Sequence, residues 1–195
     1  MRRQLMPALM MTIVLTVLTG LAYPLVVTGV AQGLFSSRAN GSLVKVDGKV
    51  VGSSLIGQDF TSAKYFQPRP SATAGNPYNG LASGGSNLGP SNPTLVSTVK
   101  ARAIAYRKLN GLAPNAPVPV DAVTASGSGL DPDISPANAR LQAPRVARVR
   151  DLPLATVLAA VARHTQGRQW GFLGEKVVNV LQLNLDLDRL SAAAK

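Results

Sequence analysis

The N-terminal part of the chain contains one long apolar run. No Asp, Glu, Lys, Arg or His occurs between Gln4 and Ser37, and a helix needs roughly 20 apolar residues to cross the hydrocarbon core of a bilayer. The alternative is a secretory signal peptide, whose apolar region is only about 7–15 residues long. The pattern therefore predicts a transmembrane helix over residues 6–32, between a short N-terminus over 1–5 and an exit linker over 33–42.

The basic residues at the two ends of this helix predict its orientation. Arg2 and Arg3 precede the apolar run, whereas Arg38 and Lys45 follow it. Basic clusters tend to stay in the cytoplasm, and long domains cross the membrane largely regardless of their own charge. We therefore expect a cytoplasmic N-terminus and a folded part outside the cytoplasm.

Small and polar residues within the apolar run indicate a packing face. The positions with hydroxyl groups are spaced 4, 3 and 4 residues apart, which corresponds to one side of an α-helix. Such a face lets another helix approach closely in lipid, although threonines can also bond back to their own helix and face lipid. A proline that follows removes a backbone donor and predicts a bend near Tyr23. The predicted partner-helix packing residues are Thr12, Thr16, Thr19, Gly20, Tyr23 and Pro24.

After the apolar run the pattern changes to short strands and amphipathic helices. Valines alternate with polar residues on both sides of Asp47-Gly48, which predicts a β-hairpin, and residues 54–60 could extend its sheet. Asn92-Pro93 predicts the start of a helix that ends at Asn110-Gly111. A second, short helix is expected from Ser135-Pro136, with an interruption at Pro144, and a third over residues 153–166.

The C-terminal region has the alternation of a half-buried strand. Residues 169–173 are expected to form a short strand, which a turn at Gly174-Glu175 joins to the run that follows. In that run, leucines at 181, 183, 185 and 187 alternate with polar residues. Together the patterns predict an α+β fold. One transmembrane helix precedes a single domain over residues 43–195, with a mixed or antiparallel sheet and about three helices.

A long irregular stretch separates the hairpin from the first helix of the domain. Residues 68–93 are rich in Gly, Asn, Ser and Pro without a simple repeat. Loops of this length in a compact domain are usually functional or disordered. We predict an ordered loop with Tyr78 and Leu81 as anchors, and a flexible linker is the alternative.

Composition excludes several classes of site. The chain has no cysteine and a single histidine, His164, so disulfides, thiolate metal sites and multi-histidine metal sites are excluded within the chain. The formal net charge is +11, but no basic motif interleaved with aromatic residues predicts nucleic-acid binding. The densest basic run is interpreted as solvated surface charge. It contains Arg140, Arg145, Arg148 and Arg150.

The sequence offers little catalytic chemistry. It lacks the Gly-Lys-Ser/Thr end of a phosphate-binding loop, and backbone anion binding at residues 83–86 is a weak prediction in a glycine-rich loop. Ser42 and Ser97 each precede a lysine by three positions, as in membrane-anchored serine–lysine acyl-enzymes of the penicillin-binding class, but no Lys-Thr-Gly triplet follows.

Acidic pairs do not predict a metal site either. Asp131 and Asp133 lie in one loop, and Asp186 and Asp188 are placed on one face of the predicted strand, so these carboxylates converge too little for a hard cation. We therefore predict no catalytic residue and no metal-binding residue.

Several long strings resemble one known family. LTGLAYPLVVTGVAQ, PYNGLASGGSNLGPSNP and GFLGEKVVNVLQLNLDLD closely resemble the KdpC family, the C subunits of bacterial Kdp potassium-transporting ATPases, and the resemblance runs from about Leu5 to Leu190. It implies a bacterial inner-membrane complex with a channel-like potassium-binding subunit, a P-type ATPase subunit and a small single-helix peptide. ATP and potassium would be bound by the complex, with no cofactor on this chain alone.

The resemblance implies three roles: stabilising assembly, capping the ion entrance from outside, and acting as a catalytic chaperone for ATP use. ATP is cytoplasmic, so direct ATP contact conflicts with an external domain, and we favour the cap with any effect on ATP transmitted through the complex. The net positive charge of the domain leaves the cap without an evident attraction for potassium. The expected partner or ion-entrance loop comprises Tyr78, Asn79, Ser83, Gly84, Gly85, Ser86 and Asn87.

Overall fold

A computed structural model describes residues 2–193 of the chain. The chain divides into two compact units, Met1–Leu43 and Val44–Lys195. The described part combines helices with two small antiparallel sheets, which confirms the predicted α+β class. The two units are described separately below.

The first unit is one long helical rod. It consists of α1 (Arg2–Val17), a π-helical segment (Leu18–Ala22) and α2 (Tyr23–Ala39). Residues Arg3–Ala39 are long and apolar enough to cross a membrane, and none of their described side chains is buried within the chain. Because the helix continues to Ala39, the predicted exit linker over 33–42 is wrong for most of its length, although Phe35 leaves helical geometry.

The predicted hairpin is confirmed at the start of the second unit. Strands β1 (Leu43–Val46) and β2 (Lys49–Ser53) form a two-stranded sheet. Asp47 and Gly48 both have positive φ, 49° and 76°, as a type I′ turn requires. The predicted extension of this sheet over 54–60 is wrong, because the chain turns at Ser53, whose Oγ accepts a hydrogen bond from the Leu55 N–H.

Helix α3 (Pro93–Asn110) confirms the predicted caps. The Asn92 side chain accepts a hydrogen bond of 2.8 Å from the Thr94 N–H, and Gly111 adopts φ 66° after the last turn. These two ends satisfy backbone groups that a helix leaves unpaired. The local sequence alone therefore specifies this helix.

The predicted interruption at Pro144 is wrong. Helix α4 runs from Pro136 to Arg150 without a break. Proline removes the N–H that would serve the Arg140 carbonyl, but Pro144 and Arg140 both lie on the exposed side of α4, where water can replace that donor. The third helix, α5 (Leu154–Arg163), is shorter than predicted and ends at His164.

A three-stranded sheet and a C-terminal helix complete the domain. The strands β3 (Asp133–Ile134), β4 (Thr165–Gln166) and β5 (Val177–Asn179) are antiparallel in the order β3-β5-β4. The segment 169–173, predicted as strand, contributes only one bridge between Gln169 and Leu173.

The predicted leucine-rich strand is wrong, because residues Val180–Ala193 form helix α6. Its buried positions include Val180, Leu183, Asn184 and Leu187, which have helical spacing. Leu183 and Leu187 are four positions apart and therefore also fit the helical period. Leucine is moreover a stronger helix former than the β-branched valines of β5.

The core of the domain lies where α4, α5 and α6 meet β3 and β5. Phe66 also belongs to it, although it comes from the irregular segment before α3. Ile134, Val146, Val157, Val178, Leu183 and Leu187 are all at least 99 % buried. Strand β5 thus continues directly into the helix that closes the core.

Candidate functional site

Two of the threonines on the predicted packing face bond back to their own helix. The Thr12 hydroxyl donates to the Ala8 carbonyl at 2.9 Å, and the Thr19 hydroxyl donates to the Leu15 carbonyl at 2.7 Å. This is the arrangement that the lipid-facing alternative expects. It does not prevent contact with another helix, so the docking role of this face stays a prediction.

The π-helical segment changes the alignment of the predicted face. The Tyr23 N–H bonds to the Leu18 carbonyl, five residues back, so this turn holds one more residue than an α-helical turn. Positions before and after it are rotated relative to one another by roughly 100° from the α-helical expectation. Thr12 and Thr16 therefore do not share one continuous stripe with Tyr23. A π-helical segment lies next to the position where the sequence predicts a bend.

A shallow, almost wholly apolar groove on the surface of this helix is lined by Leu18, Thr19, Ala22, Tyr23 and Val26. Gly20 is not among its lining residues, although a side chain added at Gly20 would meet no atom within 4 Å.

In the domain, the loop predicted as functional is held by its own polar groups. The Tyr78 hydroxyl donates to the Arg69 carbonyl, and the Tyr78 N–H donates to Ser71 Oγ at 2.9 Å. Ser71 in turn donates to the Gly129 carbonyl at 2.7 Å. Burial, reinforced by Asp59, raises the pKa of the Tyr78 phenol. The predicted anchoring by Tyr78 is confirmed.

Gly57 allows the Tyr78 ring to approach the backbone. A Cβ at position 57 would lie 2.5 Å from the Tyr78 ring and 2.7 Å from the Asp131 carbonyl oxygen. The Gly57 N–H also donates to the Leu130 carbonyl at 2.8 Å. This contact joins the segment after the hairpin to the loop and to the 125–131 segment.

The glycine-serine part of the loop pairs with a second loop. The Ser83 hydroxyl and the Gly84 N–H both donate to the Ser128 carbonyl, at 3.0 and 2.9 Å. Gly129, at φ 68°, packs against the Gly84 carbonyl, where a Cβ would lie 2.7 Å away. The Gly84 N–H is therefore already used, which argues against anion binding by this string.

The outer part of the loop is exposed. Asn79 bonds locally to Ala74 and Leu81, whereas the Leu81 side chain is 99 % exposed, so its predicted anchoring role is wrong. Ser86 and Asn87 are also exposed, and Gly85 approaches Gly127 closely. The structure thus divides the predicted loop residues into an anchored base and an accessible tip.

A cleft of about 510 Å³ lies beside the loop and α3. Its lining includes Arg69 and Arg102. Arg69 forms a 2.7 Å ion pair with Asp131, and its Nε is buried without a partner among the described residues. Arg102 donates to the Val123 carbonyl at 3.1 Å, and burial lowers its pKa. Both cations therefore serve mainly to fix neighbouring loops.

Sequence reasoning missed the central role of Arg145. This residue is 99 % buried, so the interpretation of the basic run as solvated charge is wrong for it. Its guanidinium donates to Asn110 Oδ1 at 2.9 Å, to Gln142 Oε1 at 2.7 Å, and to the carbonyls of Ala63 and Tyr65. Burial lowers its pKa. The arginine ties α3 and α4 to the segment that carries Phe66.

The carboxylates of α6 are ion-paired. Asp186 Oδ2 lies 2.8 Å from Arg163 and 3.1 Å from His164 Nε2, and Asp188 lies 2.9 Å from Arg150. Because α6 is a helix, the placement of the two aspartates on a strand face is wrong. His164 lies partly buried at the end of α5. No group of three His, Cys, Asp or Glu residues that could hold a metal occurs within residues 2–193.

The serine–lysine alternative gains no support from the second Ser-x-x-Lys string. Ser97 lies in the second turn of α3, and its hydroxyl donates to the Thr94 carbonyl at 3.0 Å. A nucleophilic serine would instead need a base within hydrogen-bond reach.

Comparison with known proteins gives the family. Residues 5–189 match the family described as "KdpC: K+-transporting ATPase, c chain". The potassium-transporting ATPase KdpC subunit of Mycobacterium tuberculosis (strain ATCC 25618 / H37Rv) is 59 % identical over 190 residues, covering 97 % of this chain and 100 % of the relative. That of Variovorax paradoxus (strain S110) is 60 % identical over 194 residues, covering 99 % and 100 %. The chain therefore belongs to the KdpC family, the C-chain accessory subunits of potassium-transporting ATPases.

Proposed function

We propose that the chain is a non-catalytic subunit that stabilises the assembly of an ATP-driven potassium-uptake complex. The observation that carries this proposal is the combination of one helix long enough to span a membrane with a folded unit whose polar residues are used in structural hydrogen bonds and ion pairs. The described residues contain no metal-binding cluster. ATP and potassium are then bound by partner subunits and not by this chain alone.

The partners are a channel-like potassium-binding subunit, a P-type ATPase subunit and a small single-helix peptide. We place the folded unit outside the cytoplasm at the bacterial inner membrane, as a cap over the ion entrance. The accessible tip around Leu81, Ser86 and Asn87 is the part of the long loop that is free to meet a partner. A chaperone effect on ATP use then acts through the complex.

The orientation of the chain in the membrane tests the cap proposal most directly, because a domain outside the cytoplasm cannot contact cytoplasmic ATP. The chain has no cysteine, so Leu81→Cys gives one thiol at a position that is 99 % exposed. A membrane-impermeant maleimide should label it in intact spheroplasts. A matched Leu5→Cys variant at the N-terminal end should be labelled only after lysis. The reverse pattern would contradict the cap and place the domain with cytoplasmic ATP.

Catalytic activity of the isolated chain is tested separately. Purified chain should neither hydrolyse ATP nor be acylated by a β-lactam, since Ser97 has no base and no phosphate-binding loop is present. Stoichiometric β-lactam labelling that disappears in Ser97→Ala would instead favour the acyl-enzyme class.

A further inference from the structure

The connection between β4 and β5 carries large apolar side chains that the domain does not bury. Residues 169–173, called the aromatic tip below, form its turn. Trp170 and Phe172 are 78 % and 69 % exposed, and Leu173 is 43 % exposed. None of the three belongs to the core. Exposed apolar side chains that follow one another closely mark a surface that contacts a protein or a membrane.

The backbone of the aromatic tip is held by its own hydrogen bonds. Gln169 and Leu173 exchange two hydrogen bonds of 2.9 Å, the Gly171 N–H donates to the Arg168 carbonyl at 3.0 Å, and the Phe172 N–H donates to the Gln169 carbonyl at 3.3 Å. Trp170 has a φ of 53°, which a bulky residue rarely adopts. Four N–H groups of the tip are therefore paired already, so apolar surroundings would not leave these donors without partners.

The charges around the aromatic tip are mainly positive. Residues 163–176 contain three cations, Arg163, Arg168 and Lys176, and one carboxylate, Glu175, which lies 3.1 Å from Arg168. Aromatic side chains settle at the level of the lipid headgroups, and basic side chains near a membrane are attracted to anionic phospholipids. The combination of exposed aromatic residues with neighbouring cations therefore fits the interface of an anionic bilayer.

The membrane helix keeps the domain close to such an interface. Helix α2 ends at Ala39 and β1 begins at Leu43, so only residues 40–42 separate them. Three residues span at most about 11 Å. Arg38 is the first charged residue after the apolar run, and charged residues mark the polar surface of a bilayer. Phospholipid is therefore near the domain even when no other subunit is present.

We propose that the aromatic tip inserts into the interface of the phospholipid bilayer that anchors the chain, with Trp170 and Phe172 among the headgroups and Lys176 beside lipid phosphate. A protruding tip needs a matching pocket in a protein partner, whereas a bilayer interface accepts it without one. The contact goes beyond the proposed function, because it needs no other subunit. It gives the domain a second attachment to the membrane besides its helix.

The test uses the chain's own fluorescence. Trp170 is the only tryptophan of the chain, so its emission reports the aromatic tip without any substitution. The full chain is reconstituted alone into vesicles of phosphatidylethanolamine and phosphatidylglycerol, with or without bromine on the acyl chains near the headgroups. Bromine should lower the fluorescence of Trp170 at least about twofold, because it quenches an indole that has settled at the headgroup level.

Two variants in a Trp170→Phe background provide the controls. Leu81→Trp moves the indole to a position of the domain that is 99 % exposed, where acrylamide in the water should quench it and bromine should not. Leu15→Trp places the indole within the apolar run, where bromine should quench it and acrylamide should not. Equal quenching by bromine at positions 170 and 81 would show unspecific adhesion of the domain and would overturn the proposal.

The second aromatic residue is tested by Phe172→Ser. This change should reduce the quenching of Trp170 by bromine, whereas Leu81→Ser, which removes an exposed apolar side chain elsewhere, should leave it unchanged. Equal quenching in both variants would overturn the contribution of the aromatic tip as a unit.

A protein partner would give a different pattern. If Trp170 stays open to acrylamide in vesicles of this chain alone and becomes shielded only when the ATPase subunits are added, the tip contacts a subunit and the lipid proposal is wrong. That result would leave the proposed function intact. Bromine quenching in a chain that brings down no ATPase subunit would support the lipid contact and contradict the proposed function alone.

Discussion

Pro24 of the helical rod and Pro144 of α4 both lie within helical backbone, and the backbone responds differently at each. At Pro24 the membrane helix changes to a π-helical segment over Leu18–Ala22. At Pro144 the domain helix α4 continues without a break. Arg140, whose carbonyl loses its donor in α4, is exposed to water, whereas the apolar run offers no water. Pro7 also lies within α1 without a break, so a proline alone does not decide the outcome.

The same contrast holds for polar side chains. In the domain a fully buried arginine satisfies neighbouring acceptors from two helices and a loop. In the membrane helix the hydroxyls of Thr12 and Thr19 are satisfied by their own helix, and the Thr19 carbonyl loses its usual donor. Polar groups of the domain thus bond across elements, whereas these two hydroxyls bond within their own helix.

The largest expected effect tests the hydrogen bonds that join separate elements of the domain. Arg145→Met removes the guanidinium but keeps much of its apolar volume. It removes the donor that serves the Asn110 side chain and the carbonyls of Ala63 and Tyr65. Each unpaired buried group costs about 1–3 kcal/mol. The free energy of unfolding should therefore fall by at least about 4 kcal/mol, measured by urea denaturation of the full chain in mild detergent.

Arg148→Met is the matched control on the same helix. Arg148 is exposed, and surface substitutions usually change stability by less than about 0.5 kcal/mol. Similar losses in both variants would contradict a structural role for the buried arginine and would point to a general effect of lowering the positive charge.

The next effect separates helix from strand in the C-terminal segment. Leu183 is fully buried, whereas Leu185 is only partly buried on α6. Leu183→Ala should cost about 3 kcal/mol, within the 2–5 kcal/mol typical of buried leucines. Leu185→Ala should cost clearly less, measured by the same urea titration. A strand would bury both leucines on one face, so equal losses would favour the alternating interpretation of this sequence.

The elements that the sequence predicts well are those whose signals are local. The Asp47-Gly48 turn and the Asn92 and Gly111 caps act through their own backbone and nearest neighbours, so the hairpin and α3 follow from a few residues. The alternating leucines of α6 predict a strand, but Leu183 and Leu187 also fit one face of a helix, and only the packing in the core decides between the two. The local pattern therefore could not decide whether this segment forms a helix or a strand.

The candidate site was predictable to a smaller degree. Tyr78 could be selected as an anchor because it is a large residue in a long Gly-rich loop, and the structure confirms this. Leu81 has the same kind of signal but is exposed. The burial of Arg145 depends on acceptors 35 to 82 residues away in the chain, and no local pattern reports contacts of that range. The π-helical segment likewise depends on the Tyr23 N–H bonding to the Leu18 carbonyl, and the sequence does not show which carbonyl that N–H uses.

The smallest expected effect is the change in stability of the domain at acid pH. The apolar run between Gln4 and Ser37 contains no carboxylate and does not contribute to this change. Two aspartates of the domain should respond in opposite directions. Burial alone would raise the pKa of Asp186, but hydrogen bonds from Arg163 and His164 outweigh it and lower this pKa. Burial raises the pKa of Asp133 despite its hydrogen bond from Asn179.

The signs of the two contributions follow from linkage between proton binding and folding. Asp186 stabilises the fold above the unfolded-state pKa of about 3.9, and this contribution is lost as the pH falls through its lower folded-state pKa. Asp133 destabilises the fold at neutral pH, and that penalty disappears as the carboxyl becomes protonated in acid. The free energy of unfolding should be compared at about pH 5 and about pH 2, on either side of the reference pKa of aspartate. The loss between these two values should be smaller in Asp186→Asn and larger in Asp133→Asn than in the unchanged chain. Circular dichroism during urea unfolding at each pH measures this difference. A change in the same direction for both variants would show that net charge, and not the local pairing of each carboxylate, governs the response of the domain to acid.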